Sequence, residues 1–187
     1  RESFASIKVP CVLCSESAAE MKFSNLSSFT TDDREAARAA AEYLIRSGHR
    51  RVGIVCGSAV SEAGLIGSKR VESAIDAFKE NKIPFDKRKQ FVPGKFSLED
   101  GYNSTMKLLD RYPEVTAIYA VSDVVAIGAL RAINDRKLKV PQDISIIGND
   151  GIDFARYATP RLATVEQDAA QLAKRSVDDL LLRLNYN

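Results

Sequence analysis

Four short stretches place polar or aromatic side chains directly after apolar runs. Cys56 is followed by GSAVSEAGLIGSKR, which ends in Arg70. Val92 is followed by PGKF, ending in Phe96. Val121 is followed by Ser122 and Asp123, and Gly148 by Asn149, Asp150 and Gly151. A run such as ISIIG cannot carry a charge in a buried middle, so Asp150 marks an open end where a partner can meet it. A carboxylate, an arginine and an aromatic ring brought together would suit a polyhydroxyl molecule. The carboxylate accepts from paired hydroxyls, the guanidinium donates as a fixed fork, and the ring covers the apolar C–H surface.

The elements that must position these residues follow from periodicity. Short apolar runs alternate with amphipathic stretches, the pattern of a parallel sheet covered by helices. Strands are expected over Val9–Cys14, Val52–Cys56, Gln90–Val92, Thr116–Val121, Ile144–Gly148 and Leu162–Val165. The first helix follows TTDD, with Asp32 as N-cap, Glu35 three residues on, and a stop at Gly48. A second spans about 68–81 and a third follows Ser97 with Leu98, Tyr102, Met106 and Leu109 inward. A fourth is capped by Asp123, and a last one carries Ala173, Val177, Leu180, Leu181 and Leu184 at helical spacing. In such sheets ligands bind beyond the carboxyl ends of the strands, and that rule selects the four stretches above. The sequence shows no internal repeat, low-complexity tract or long linker.

Composition narrows the functional classes. The 187 residues carry 27 basic and 25 acidic side chains, so no concentrated positive charge draws the chain to nucleic acid. No apolar run approaches the ~20 residues of a membrane span, and RESFASIKVP has neither the basic start nor the apolar core of a signal peptide. A cytoplasmic location is expected. Cys11 and Cys14 form a CVLC pair inside an apolar run, with one histidine in the chain. A zinc site wants four ligands and a redox pair wants a helix behind it, so the cysteines are expected to be buried and reduced, and no metal or cofactor is expected. His49 has no nucleophile placed beside it by any motif, and a structural or surface role is expected. GLIGSKR imitates a phosphate loop but fails its spacing, and there is no GxGxxG.

Taken together, LIRSGHRRVGIVCG, FSLEDGYNSTMKLL, TAIYAVSDVVAIGALRAI and VPQDISIIGNDGIDFARYATPRLATVEQD resemble the effector-binding core of the LacI/GalR transcriptional regulators, from about Val9 to Leu184. The resemblance implies a doubly wound α/β fold of the periplasmic-binding-protein-like type I, two lobes with a ligand between them. One lobe would be nearly complete and the other partial, without the family's DNA-binding headpiece. Residues 1–57 would belong to the N-terminal lobe, 58–164 to the C-terminal lobe, and 165–187 to a return into the first. The resemblance also implies site residues. Asp150 would accept from ligand hydroxyls, Phe96 would stack, Arg70 would donate, and Ser122 and Asp123 would stand at the ligand wall. Asn149 and Gly151 depart from the family's pattern on either side of Asp150, and the loop from Ser58 to Lys69 is lengthened, which leaves the parts of Ser61 and Glu62 open. Subunit contacts of a homodimer would come from SDVVAIGALRAI and FARYATP.

The reading that results is a sensor of a small molecule, a sugar by expectation, within a DNA-binding regulator that performs no covalent chemistry. The alternative is a sugar-binding protein of a transport system with the same fold. An enzyme such as a sugar kinase would need a phosphate loop or a poised acid–base pair, and the sequence offers neither.

Overall fold

Fully apolar four-residue runs need cover on both faces, which only a sheet sandwiched between helices supplies. The computed structural model describes residues 7–15, 23–57 and 64–185. Their order is β1 (Cys11–Cys14), β2 (Leu26–Phe29), α1 (Asp33–Arg46), β3 (Val52–Val55), α2 (Gly64–Glu80), α3 (Lys87–Gln90), β4 (Phe91–Val92), α4 (Leu98–Arg111), β5 (Ala117–Ala120), α5 (Asp123–Asp135), β6 (Ser145–Asp150), α6 (Asp153–Tyr157), β7 (Ala163–Glu166) and α7 (Ala169–Asn185). The loop positions Ser61 and Glu62 lie outside the described residues. The chain divides into two compact units, one up to Asp32 and from Gln167 onward, the other Asp33–Glu166.

The second unit is built on a five-stranded parallel sheet in the order β4-β3-β5-β6-β7. The chain enters at β3, steps to one side for β4, then returns past β3 to β5 and continues outward. The winding therefore reverses between β3 and β5, the kind of switch point beside whose carboxyl ends such sheets bind ligands. Every residue of β3 and β5 is buried. α1 packs on α2 and over β5 to β7; α4 packs on α5, with α4 over β3 and β4 and α5 over β5 and β6. This is the doubly wound α/β architecture expected from the sequence.

The first lobe boundary differs from the expected one. It falls after Asp32 and not after Gly57, because β3 is hydrogen-bonded on both sides inside the five-stranded sheet and α1 covers that same sheet. The return falls after Glu166, two residues beyond the expected Thr164.

Helix termini follow the capping rules with one exchange. Ser97 caps α4, its hydroxyl accepting from Asp100 N at 3.1 Å. α5 is capped by Ser122, which accepts from Val125 N at 3.3 Å, and not by Asp123, whose side chain is engaged elsewhere. Gly48, at φ +90°, closes α1 as expected.

α4 and α5 approach until their backbones touch. A Cβ on Gly128 would fall inside the Leu98 carbonyl oxygen and lie 2.9 Å from Tyr102 N. Neither neighbour is a flexible side chain that can swing aside. Gly128→Ala is therefore expected to cost about 1–3 kcal/mol, the usual penalty of overpacking, as a lowered urea midpoint. An unchanged midpoint would mean the two helices part freely.

In the first unit β1 and β2 pair in parallel, Cys11 opposite Leu26 and Cys14 opposite Phe29, and α7 packs on both strands. Ser27 donates to Asp179 Oδ2 at 2.5 Å, and Arg183 Nε donates to the same oxygen at 2.7 Å. The cysteine expectation is corrected here: Cys11 is half-buried and Cys14 exposed, because this small sheet leaves β1 partly open; only Cys56 is buried. Burial pushes the Cys56 thiol up to about 11, against the hydrogen bond to Ser104. On α7, Val177, Leu181 and Leu184 are exposed among the described residues. No helix among the described residues is long and apolar enough to cross a membrane.

Candidate functional site

Asp150 ends β6 at φ +134°, a backbone conformation that residues with a Cβ avoid, and Gly151 follows at φ +76°. The turn is held from below by Asp123. Its Oδ2 accepts from Gly151 N at 2.8 Å and Ile152 N at 2.9 Å, and its Oδ1 accepts from Thr164 Oγ1 at 2.6 Å. Asp123 is fully buried. It fits under the turn because Gly148 offers no side chain: a Cβ there would collide with Asp123 Oδ1. Asp123 thus sets the height and direction in which Asp150 leaves the sheet.

Arg70 reaches the same edge from α2. Its Nη1 lies 2.9 Å from Asp150 Oδ1 and donates to the Val121 carbonyl, at the end of β5, at 2.7 Å. Its Nε and Nη2 both lie 2.8 Å from Asp33 Oδ1, in the first turn of α1. The Asn149 side-chain oxygen, in the amide orientation its neighbours favour, lies 3.1 Å from Nη1 and 3.3 Å from Nη2. The side chains of Arg70 and Asp33 are 5% and 10% exposed, that of Asp150 27%, so the carboxylate of Asp150 is the part of this cluster most open to solvent.

The electrostatics follow from that burial. Desolvation opposes the Arg70 cation, but Asp150 and Asp33 outweigh it and hold its pKa above the ordinary arginine value. For Asp150 desolvation wins over the attraction of Arg70, and nearby Asp123 adds to it, so its pKa is raised. These directions are compatible: the one cation is shared by two carboxylates, and each carboxylate is only partly neutralised. Tyr119, on β5, is fully buried, and its hydroxyl has no hydrogen-bond partner among the described residues. Burial pushes its pKa up.

Of the residues selected from the sequence, Arg70 and Asp150 meet in a direct ion pair. Ser122 is buried beside Val121, its hydroxyl spent on the α5 cap. Asp123 lies under the Asp150 turn with both oxygens engaged. Phe96 is 39% exposed on the loop after β4, a loop tied to the end of β3 by the Gly57–Gly94 bridge. Sequence reasoning missed Asp33 and the Val121 carbonyl, and treated Asn149 only as a departure from a pattern. A signal for Asp33 existed in TTDD, where one aspartate suffices to start a helix and the second was unexplained.

His49 lies at the opposite, amino edge of the sheet, its Nδ1 3.1 Å from Thr116 Oγ1 and its Nε2 3.0 Å from Ser145 Oγ. Concavities of about 410 and 240 Å³ adjoin it there. Among the described residues no cluster of His, Cys, Asp and Glu could hold a metal ion.

The chain is similar to known proteins in sequence and fold. The family profile of the periplasmic binding protein-like domain matches residues 41–187. The HTH-type transcriptional regulator MalR of Clostridium butyricum is 36% identical over 95% of this chain and 52% of its own length. The ribose operon repressor of Haemophilus influenzae is 36% identical over 78% of this chain and 42% of its own length. The chain thus spans about half the length of the curated relatives it matches. Among solved structures, a regulatory protein of the LacI family from Chloroflexus aggregans aligns with TM-score 0.83 at 30% identity, over 96% of this chain and 62% of that one. A LacI family transcriptional regulator from Enterococcus faecium, with bound ribose, aligns with TM-score 0.81 at 29% identity, over 95% of this chain and 63% of that one.

Proposed function

Because this chain belongs to the periplasmic binding protein-like domain family, we propose that it is the sugar-sensing part of a LacI-type transcriptional repressor. The observation that carries this reading is the Asp150 carboxylate, projected from the open end of β6 by a strained turn and steadied by Arg70. Such a fixed acceptor pair suits vicinal sugar hydroxyls. Phe96, exposed at the same edge of the sheet, would cover the apolar face of a sugar ring. Arg70, Ser122 and Asp123 support the contact from behind, the first through Asp150, the others by fixing α5 and the turn.

The ligand's preference for one form of the protein would shift the form that the repressor presents to DNA. Relatives about twice as long carry names of helix-turn-helix regulators, so DNA contact is assigned to a part of the protein outside these residues. The working form would be a cytoplasmic homodimer. Phe154 and Tyr157 in α6, 73% and 84% exposed, suit a subunit contact; α5, largely buried in its own unit, suits one only through its outer residues. The names of the relatives favour the sensor over the transport protein, since they are repressors and regulators.

Calorimetric titration with D-ribose, cellobiose, maltose and adenine tests the reading. A neutral sugar is expected to bind saturably and to raise the unfolding midpoint, by about 2.7 kcal/mol of stability at a hundredfold excess over Kd. Saturable binding of adenine with no response to any sugar would move the assignment to a nucleobase sensor.

A further inference from the structure

The two recognition edges of the Arg70 guanidinium are both closed by the protein. A carboxylate or phosphate is read by arginine through paired N–H groups, on the Nε/Nη2 edge or on the Nη1/Nη2 edge. Asp33 Oδ1 sits astride the first at 2.8 Å from each nitrogen. The Asn149 oxygen sits astride the second at 3.1 and 3.3 Å. What remains of Nη1 meets Val121 O and Asp150. The Arg70 side chain is 5% exposed, and each guanidinium nitrogen faces an internal acceptor. Two carboxylates, Asp33 and Asp150, also share the one guanidinium.

We propose that Asp33, with Asn149, makes this site selective for uncharged polyols by withholding Arg70 from anions. An incoming uronate or sugar phosphate would have to displace Asp33, leaving a buried carboxylate without its partner, and would face Asp150 at close range. A neutral polyol donates to Asp150 and disturbs neither contact. Arg70 is then a positioning residue for Asp150 and not a ligand donor, and Asp33 decides the charge class of the ligand. This deepens the sugar-sensor reading and rests on it only in taking the Asp150 edge as the place where ligand arrives.

The test follows the Arg70 Nε–Hε resonance in the whole chain by NMR, assigned by its loss in Arg70→Lys, with inorganic phosphate and D-glucuronate as probes. In the parent chain the Hε proton is expected to exchange slowly with water and its resonance to stay put through both titrations. In Asp33→Ala it is expected to exchange about tenfold faster or more, having lost a charge-assisted hydrogen bond, and to move saturably with either anion. Asp33→Asn, which keeps the shape and drops the charge, serves as the second variant and is expected to show the same response more weakly.

A saturable shift in the parent chain overturns the proposal. So does an immobile resonance in both folded variants. If the sugar screen fails while the Arg70 responses are as expected, the fault lies with Asp150 as the effector contact and not with Asp33 as the gate.

Discussion

Asp150→Asn is expected to lose effector binding by about tenfold to a hundredfold while leaving the unit at least as stable as the parent at neutral pH. The first half follows from the loss of a charged acceptor, worth about 1.5–3 kcal/mol per hydrogen bond. The second is less intuitive, because an ion pair is being removed. Desolvation of Asp150 outweighs Arg70 and raises its pKa, and Arg70 keeps a better-buried counter-ion in Asp33. Asparagine retains an oxygen that can accept from Nη1. For a carboxyl whose pKa is raised in the folded state, the folded form binds the proton more tightly than the unfolded one. The stabilising contribution of that proton is fully present below the ordinary carboxylate value of about 4 and is lost as pH rises through the raised value. The advantage of the asparagine variant should therefore be smallest in acid, grow as pH climbs past that range, and level off near neutrality. Thermal midpoints of both proteins across that range, with sugar titrations at neutral pH, measure it. A variant clearly less stable than the parent at neutral pH would show that the Arg70 attraction exceeds the burial penalty.

How much of this was legible in the sequence depends on whether the signal was local. β3 and β5 declare themselves, since VGIV and AIYA are apolar on both faces and are buried on both faces. Which sheet β3 joins is decided by its pairing with Phe91 and Val92 on one side and residues 117–120 on the other, contacts no local pattern specifies. That is why the unit boundary was misplaced. β2 was invisible for another reason: LSSF has neither alternation nor β-branched residues, and its place depends on β1 and on α7, where Ser27 meets Asp179 across the chain. α3 and α6, four and five residues long, are too short for a 3.6-residue period to register.

The site divides in the same way. The place of Asp150 at the open end of β6 was readable because a charge cannot sit in the middle of a buried strand. The exchange of roles between Ser122 and Asp123 was not, since both are good capping residues and only burial tells which one turns inward. Asp33 lies 37 positions before Arg70 and meets it only once α1 and α2 pack together.

Arg70→Met is expected to be the most damaging single change at the site, costing about 3–5 kcal/mol, the usual loss when one partner of a buried ionic cluster is removed. Methionine replaces much of the aliphatic volume but none of the charge. Asp33 and Asp150, 10% and 27% exposed, are then left near each other without their shared cation, the Asn149 oxygen loses its donor, and the Val121 carbonyl loses the bond that fixes the end of β5. Asp150, whose pKa Arg70 pulls down against the burial that raises it, should then titrate higher than in the parent. By the same sign rule as above, the variant recovers stability as pH falls and protons replace the missing cation, so its deficit is largest at neutral pH and shrinks in acid. The double variant Arg70→Met, Asp150→Asn should recover part of the loss at neutral pH, because one of the two stranded charges is gone; the two changes are in contact and will not add. Urea denaturation of the parent, both single variants and the double variant closes this cycle. If Arg70→Met proves as stable as the parent, the guanidinium is not what holds the carboxyl ends of β5 and β6 to α1, and the positioning role assigned to it fails with that result.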